Sequence, residues 1–219
     1  MECLQAKACP KLRQYGEECG VFGIALKEGS TLSAAHSVYT ALYSLQHRGQ
    51  QSAGIASVDK GRFHLHKGPG LVPDVFTDKS LETLVGPAAI GHVRYSVSGD
   101  MATVNAQPIV ITHASGSMAV CYNGKLVNSG ELRRETELRG GIFQTSNSAE
   151  VISYLLVRER MRTNTIEDAV INAMQYMIGA YSVVVLTQGK LVAFRDPNGF
   201  RPLCIGQVDG SIMFASESC

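Results

Sequence analysis

The chain has 219 residues, 45% of them hydrophobic, which is enough to bury the core of one domain. Its formal net charge of +1 and the lack of a basic tract argue against nucleic acid as a partner. No apolar run reaches membrane-spanning length, and the first residues lack the apolar segment of a secretion signal, so neither a membrane nor a secreted protein is expected.

Cysteine usage points to the cytoplasm. Six cysteines stand at positions 3, 9, 19, 121, 204 and 219. They form no CxxC pair and no His/Cys cluster with zinc-ligand spacing, so we predict no metal site. A domain of this size does not depend on disulfides, which favours a reducing compartment.

The first predicted elements are a buried strand over residues 19–26 and a helix over residues 32–46. Short strands are predicted next, separated by glycine and proline, near residues 53–59, 62–67, 88–94, 109–114 and 118–122. The helix is predicted from apolar residues at helical spacing, namely Leu32, Ala35, Tyr39, Leu42 and Leu45.

The second half begins with helices and ends with strands. Helices are predicted at about residues 129–139, 149–162 and 166–178, and strands at residues 181–187, 190–195, 203–208 and 211–217. Such an order lacks the strict alternation of a parallel α/β fold. We therefore expect an α+β fold in which mainly antiparallel sheets pack face to face and helices cover their outer faces.

Cys19 is the strongest candidate for chemistry. It follows Glu17-Glu18, and residues 1–18 have the character of a leader ahead of a domain over residues 19–219. Removal of that leader would leave a thiol and a free α-amine on one residue. Because an α-amine titrates near pH ~8, it can accept the thiol proton and help the sulfur attack a carboxamide. A cysteine at the start of a strand, taken alone, is more often a small core residue.

Four further segments, together with the one at Cys19, match one known pattern in their order and spacing along the chain. They are Gln46-His47-Arg48-Gly49-Gln50, Gly91-His92-Val93-Arg94-Tyr95, Tyr122-Asn123-Gly124-Lys125 and Arg195-Asp196-Pro197-Asn198-Gly199. Each alone is weak evidence, because a pair such as Asn-Gly is usually a turn. Together they resemble the N-terminal class II glutamine amidotransferase domain of the amidophosphoribosyltransferase family, over residues 17–219.

The resemblance implies an N-terminal-nucleophile hydrolase with a four-layer αββα sandwich that releases ammonia from glutamine. It implies that Cys19 forms a glutamyl thioester. The side-chain amide of Asn123 and the backbone N–H of Gly124 would bind the oxyanion. The family also includes members whose short propeptide is cut just before the cysteine, which corresponds here to residues 1–18.

The remaining site residues are also assigned by the resemblance. Arg94 would bind the α-carboxylate of glutamine as a planar two-point contact. Tyr95 and Ser148 would lie at the substrate. Arg48 and His92 would be supporting residues, and His92 is interpreted as structural rather than as a proton carrier.

The chain departs from the family at three positions. Ser148 replaces an aspartate that binds the α-ammonium of glutamine, and Asn147 and Glu150 are the neighbours that could compensate. Tyr122 replaces a histidine before Asn-Gly, and Lys125 replaces a usual Asn or Glu. Weakened or altered glutamine recognition is the hypothesis that follows.

The resemblance implies no cofactor in this domain. Mg²⁺ would belong to a phosphoribosyltransferase domain, of which this sequence contains no recognisable segment. L-glutamine, such a second domain and further copies of the chain are the expected partners. Two alternatives remain open: a stand-alone amidotransferase that supplies ammonia to another synthase, and a non-catalytic glutamine-binding or interaction domain.

Overall fold

Two antiparallel sheets form the centre of the molecule in the computed structural model, which describes residues 19–95 and 103–219. The predicted leader, residues 1–18, lies outside the described residues. In chain order the strands are β1 (Gly20–Ala25), β2 (Ser52–Asp59), β3 (Arg62–Pro69), β4 (Ala88–Arg94), β5 (Ile109–His113), β6 (Gly116–Leu126), β7 (Gly179–Thr187), β8 (Leu191–Arg195), β9 (Cys204–Val208) and β10 (Ser211–Ala215).

The first sheet contains six strands in the order β3-β2-β4-β1-β10-β9, and the second contains four in the order β5-β6-β7-β8. All the pairings are antiparallel. The first strand of the chain thus lies inside its sheet, between β4 and β10. A residue at the start of β1 is therefore supported by strands on both sides.

Six α-helices complete the described chain: α1 (Ala34–Ser44), α2 (Val72–Val75), α3 (Asp78–Glu82), α4 (Ser129–Leu138), α5 (Ser148–Arg160) and α6 (Ile166–Met174). Short 3-10 helices cover Gln46–Arg48 and Thr103–Asn105. Within the two described ranges, no helix combines the length and the apolar character that crossing a membrane requires.

Three cores separate four layers. Helix α1 packs on the first sheet through residues such as Val38 and Leu42. Between the sheets lie smaller residues, among them Val21 and Ala119. Helices α5 and α6 cover the second sheet, where Leu155 is one of the buried residues. The predicted αββα order of an α+β sandwich is confirmed.

The observed bounds differ from the predicted ones in a few places. Helices α2 and α3 were not predicted, because four or five residues are too few to show a helical apolar period. Helix α6 ends at Met174, four residues before its predicted end. Strand β6 continues to Leu126, through the Asn123-Gly124 pair that usually signals a turn.

A buried carboxylate organises the turn after β8. Asp196 is 2% exposed and accepts backbone N–H groups from Tyr181, Asn198, Phe200 and Arg201 at 3.0–3.2 Å. Burial raises the pKa of Asp196, but these donors lower it further, and the net pKa lies below the usual 3.8. The charged carboxylate of Asp196 therefore joins the turn after β8 to Tyr181 near the start of β7.

We expect Asp196→Asn to lower the free energy of unfolding by about 3 kcal/mol, because an amide cannot accept all four donors. Since the carboxyl pKa is depressed in the folded state, its contribution is complete above pH 3.8 and is lost as the pH falls below that value. Urea denaturation should therefore show a smaller difference in the free energy of unfolding between Asp196→Asn and the wild type at pH 3 than at pH 7. Asp74→Asn, an exposed control, should change little at either pH.

Candidate active site

Cys19 lies at the start of β1 and contacts the end of β4. Its Sγ is 3.5 Å from the amide nitrogen of Tyr95 and 3.6 Å from the carbonyl oxygen of the same residue. The φ of Cys19 is +55°, in the left-handed region that costs L-residues roughly 1–2 kcal/mol. The side chain is half-buried, so the sulfur is supported by the fold and still within reach of a ligand.

Strand register brings Arg94 and Tyr95 to the sulfur. Gly20 pairs with Val93 across β1 and β4, so the residue before Gly20 faces the residues after Val93. Arg94 is half-buried and Tyr95 is 45% exposed. The structure thus brings together three of the residues that the sequence predicted for the site.

His92 and Gln107 both bond to the backbone of Tyr122. His92 Nε2 donates to the Tyr122 carbonyl oxygen at 3.0 Å, and Gln107 donates to the same oxygen at 3.1 Å. Gln107 Oε1 accepts the Tyr122 N–H at 2.7 Å. Burial, above all, lowers the pKa of His92 to about 3, so its ring is neutral. His92 therefore connects β4 to β6 one residue before Asn123.

The backbone of Gly124 points away from its partner strand. Gly124 pairs with Tyr181, whose N–H and C=O bond instead to Asp196. Val127 N–H bonds to the Ile178 carbonyl at 2.8 Å, and hydrogen-bonded pairs alternate along an antiparallel ladder. The Gly124 N–H is therefore directed to the other side of β6, past residue 120, where the pairing with β5 ends.

Glycine is required at position 124. Its φ is +147°, which residues with a Cβ rarely adopt. A Cβ there would also lie 2.1 Å from the Ala180 carbonyl oxygen. β6 can therefore approach the Ala180 carbonyl this closely, with this φ, only because the residue has no side chain.

The Asn123 side chain faces the first sheet. It is fully buried, and it lies two residues after Cys121 on β6, so it shares a face with Cys121, which belongs to the core between the sheets. Neither Asn123 Nδ2 nor Oδ1 has a hydrogen-bond partner among the described residues. Ser182 lies opposite on β7, and its buried hydroxyl also lacks a partner there. Unpaired buried polar groups are costly, which points to a ligand rather than to a structural role.

Ser148 begins α5, and its two acidic or amide neighbours are already engaged. Asn147 Oδ1 accepts the Ala149 N–H at 2.9 Å, and its Nδ2 donates to the Asn105 carbonyl at 3.0 Å. Glu150 accepts both the N–H and the hydroxyl of Thr145 at 2.8 Å. Neither neighbour is free to compensate for the missing aspartate. The contacts described do not join Ser148 to Cys19.

Arg48 bonds directly to Cys19. The residue is 1% exposed, and its Nε donates to the Cys19 carbonyl oxygen at 2.8 Å. Its Nη1 pairs with the Glu217 carboxylate. Sequence reasoning missed Glu217 and Ser182, because a single Glu or Ser outside the motifs carries no signal until the strands place it beside the site.

Residues 92–219 match the family described as "Glutamine amidotransferase domain". The chain belongs to this family. Amidophosphoribosyltransferase from Methanocaldococcus jannaschii is 47% identical over 201 residues, which is 92% of this chain and 42% of that protein. The enzyme of the same name from Bacillus subtilis is 40% identical over 210 residues, or 95% and 43%. The chain therefore spans less than half the length of these relatives.

Solved structures agree with this glutamine amidotransferase fold. Glutamine phosphoribosylpyrophosphate amidotransferase from B. subtilis, complexed with ADP and GMP, superposes with a TM-score of 0.83 at 40% identity, over 92% of this chain and 42% of that one. A glutamine aminotransferase class-II domain protein from Silicibacter pomeroyi shares the fold at 14% identity, with a TM-score of 0.57 over 90% and 88% of the two chains.

Asn123→Leu is expected to raise the free energy of unfolding of the amidotransferase domain by about 1–3 kcal/mol. The reason is that an apolar side chain of similar size removes two buried groups without partners. Urea denaturation measures the change. As a control, Asn172→Leu on the partly exposed face of α6 should have little effect. Lower stability of Asn123→Leu would mean that the amide serves the fold.

Proposed function

We propose that this domain hydrolyses the side-chain amide of glutamine to glutamate and ammonia, with Cys19 as the nucleophile. The observation that carries the proposal is the pair of donors on β6. The buried side-chain amide of Asn123 has no hydrogen-bond partner among the described residues, and the Gly124 N–H points away from its partner strand β7. Both donors follow Tyr122, and His92 joins Tyr122 to β4. Tyr95, the residue after β4, contacts the Cys19 sulfur.

The mechanism follows from these positions. With residues 1–18 removed, the free α-amine of Cys19 takes the thiol proton while Sγ bonds to the amide carbon. The oxyanion that forms accepts hydrogen bonds from Asn123 Nδ2 and Gly124 N–H, and each such donor typically contributes ~3 kcal/mol to lowering the barrier. The C–N bond then breaks, and the amine returns the proton to the departing ammonia. Water hydrolyses the thioester and releases glutamate.

Two further roles belong to the proposal. Arg94 binds the α-carboxylate of glutamine, and Tyr95, exposed beside it, contacts the substrate. Arg94 follows directly after Val93, whose partner in β1 is Gly20, so the backbone of Arg94 lies opposite Cys19. A planar guanidinium suits a carboxylate, because it can make two parallel hydrogen bonds.

Removal of residues 1–18 is part of the proposal. While a peptide bond precedes Cys19, its nitrogen lone pair is delocalised and cannot accept a proton. The left-handed φ of Cys19 supports this view, since cleavage before Cys19 would release the strained torsion.

The wider function follows from the relatives. We propose that the ammonia is used to aminate phosphoribosylpyrophosphate, in the first step of purine synthesis, by a phosphoribosyltransferase domain that binds Mg²⁺. The support is 40–47% identity to proteins named amidophosphoribosyltransferase. We also propose a homo-oligomer in the cytoplasm, with no cofactor in the glutaminase domain itself.

The free amine can be tested with two proteins that differ by one residue. A chain that begins at Cys19 should hydrolyse glutamine, whereas the same chain with one glycine before Cys19 should be at least ~10²-fold slower, because its base is acylated. Ammonia release measures the rate, and intact mass verifies each N-terminus. Equal rates would contradict the mechanism. If a chain beginning at Cys19 neither releases ammonia nor reacts with a thiol-reactive glutamine analogue, a binding domain is the correct reading.

Ser148→Asp tests the altered substrate site. A carboxylate at this position should bind the α-ammonium of glutamine and lower KM about 10- to 150-fold, since a hydrogen bond to a charged group contributes ~1.5–3 kcal/mol. The turnover number should change little. Ser129→Asp is the matched control, because Ser129 is also the first residue of a helix. An unchanged KM in Ser148→Asp would remove the case for weakened recognition.

A further inference from the structure

The buried guanidinium of Arg48 needs a fixed anion. Arg48 donates from Nε to the Cys19 carbonyl oxygen, and its side chain is only 2% exposed. A cation that is removed from water is costly unless it is paired and hydrogen-bonded. The position of this guanidinium, and with it the position of the Cys19 carbonyl, therefore depends on the carboxylate that pairs with it.

Glu217 supplies a carboxylate that is itself fixed. One of its oxygens, Oε1, accepts from Arg48 Nη1. His47 Nε2 contacts both Glu217 oxygens, at 3.0 and 3.2 Å, and His47 Nδ1 lies 3.0 Å from the Ser44 carbonyl at the end of α1. Both ring nitrogens of His47 thus face oxygen acceptors. Glu217 is connected to the first sheet through Arg48 and to the outer helix through His47.

Strand pairing places Glu217 beside the nucleophile. The Ser216 N–H donates to the Val21 carbonyl at 3.0 Å, and the Val21 N–H donates to Ser216 Oγ at 2.9 Å. Ser216 is fully buried. These two bonds fix the residue before Glu217 against the residue two positions after Cys19, so Glu217 reaches Arg48 from the neighbouring strand.

We propose that Glu217 is a positioning residue for the nucleophile and acts through Arg48. It does not touch the reacting atoms. It fixes the guanidinium that holds the Cys19 carbonyl, and thereby the direction of the thiol and of the α-amine on the same residue. This inference rests on the proposed glutamine hydrolysis by Cys19, because positioning is measured as turnover.

The test uses chains that begin at Cys19. Glu217→Ala should lower kcat for glutamine hydrolysis by about 10- to 100-fold, since a small misplacement of a reacting group can cost that much. KM should stay within about twofold, because Glu217 makes no contact with substrate in this proposal. Glu217→Gln keeps the shape of the side chain and an acceptor oxygen but loses the charge, so we expect kcat to fall about tenfold.

Two controls separate positioning from general stability. Glu167→Gln removes the carboxylate of an exposed pair with Lys190, at 2.7 Å, and should leave kcat unchanged. In an Arg48→Met background, Glu217→Ala should add no further loss of kcat, since its effect passes through Arg48. Thermal denaturation verifies that each variant is folded at the assay temperature.

The outcomes distinguish failure of the proposed hydrolysis from failure of the role of Glu217. If the unsubstituted chain releases no ammonia, glutamine hydrolysis is wrong, and the role of Glu217 is overturned with it. If that chain is active and folded Glu217→Gln retains its kcat, only the role of Glu217 is overturned. A further loss of kcat from Glu217→Ala in the Arg48→Met background would also overturn it, because Glu217 would then act by another route.

Discussion

The hydrogen bonds at the Tyr122 backbone are the interaction on which the site depends. The pairing of β5 with β6 ends before Tyr122, so side chains rather than a strand bond to the Tyr122 backbone. They are His92 from the opposite sheet and Gln107 from the segment before β5. Because this junction joins β4 to β6, the end of β4 near Cys19 is fixed relative to Asn123 and Gly124 on the other sheet. A buried neutral histidine suits the task, since it donates a hydrogen bond without a charge that would need a partner.

The site also shows unfavourable local features that the surrounding fold must support. Cys19 has a left-handed φ, Asn123 and Ser182 bury polar atoms that no described residue satisfies, and Gly124 has a φ of +147°. Such features persist only where neighbouring elements determine them, and they are typical of ligand-binding and reactive positions. Here the supporting elements are adjacent strands rather than loops, which favours precise positioning of the donors.

Charge is distributed unevenly around Cys19. Arg48 is buried and paired with Glu217, whereas Arg94 lies half-buried at the end of β4. The Arg48 guanidinium also bonds to the Cys19 carbonyl oxygen, whereas Arg94 directly follows Val93, whose partner in β1 is Gly20. Of these two arginines, Arg48 is therefore the one that a described hydrogen bond joins directly to Cys19.

Local sequence was sufficient for most of the secondary structure and for most of the residues proposed for the site. Short apolar runs separated by glycine and proline indicate most of the strands. The motifs around Cys19, Arg94, Asn123 and Gly124 are contiguous in the sequence, so their chemistry can be interpreted without the fold. Local sequence could not predict the strand order, the unpaired edge of β6 or the positions of Glu217 and Ser182 beside the site. They arise from pairings such as Ser216 with Val21, nearly two hundred residues apart, and no local pattern encodes which distant strand becomes a neighbour.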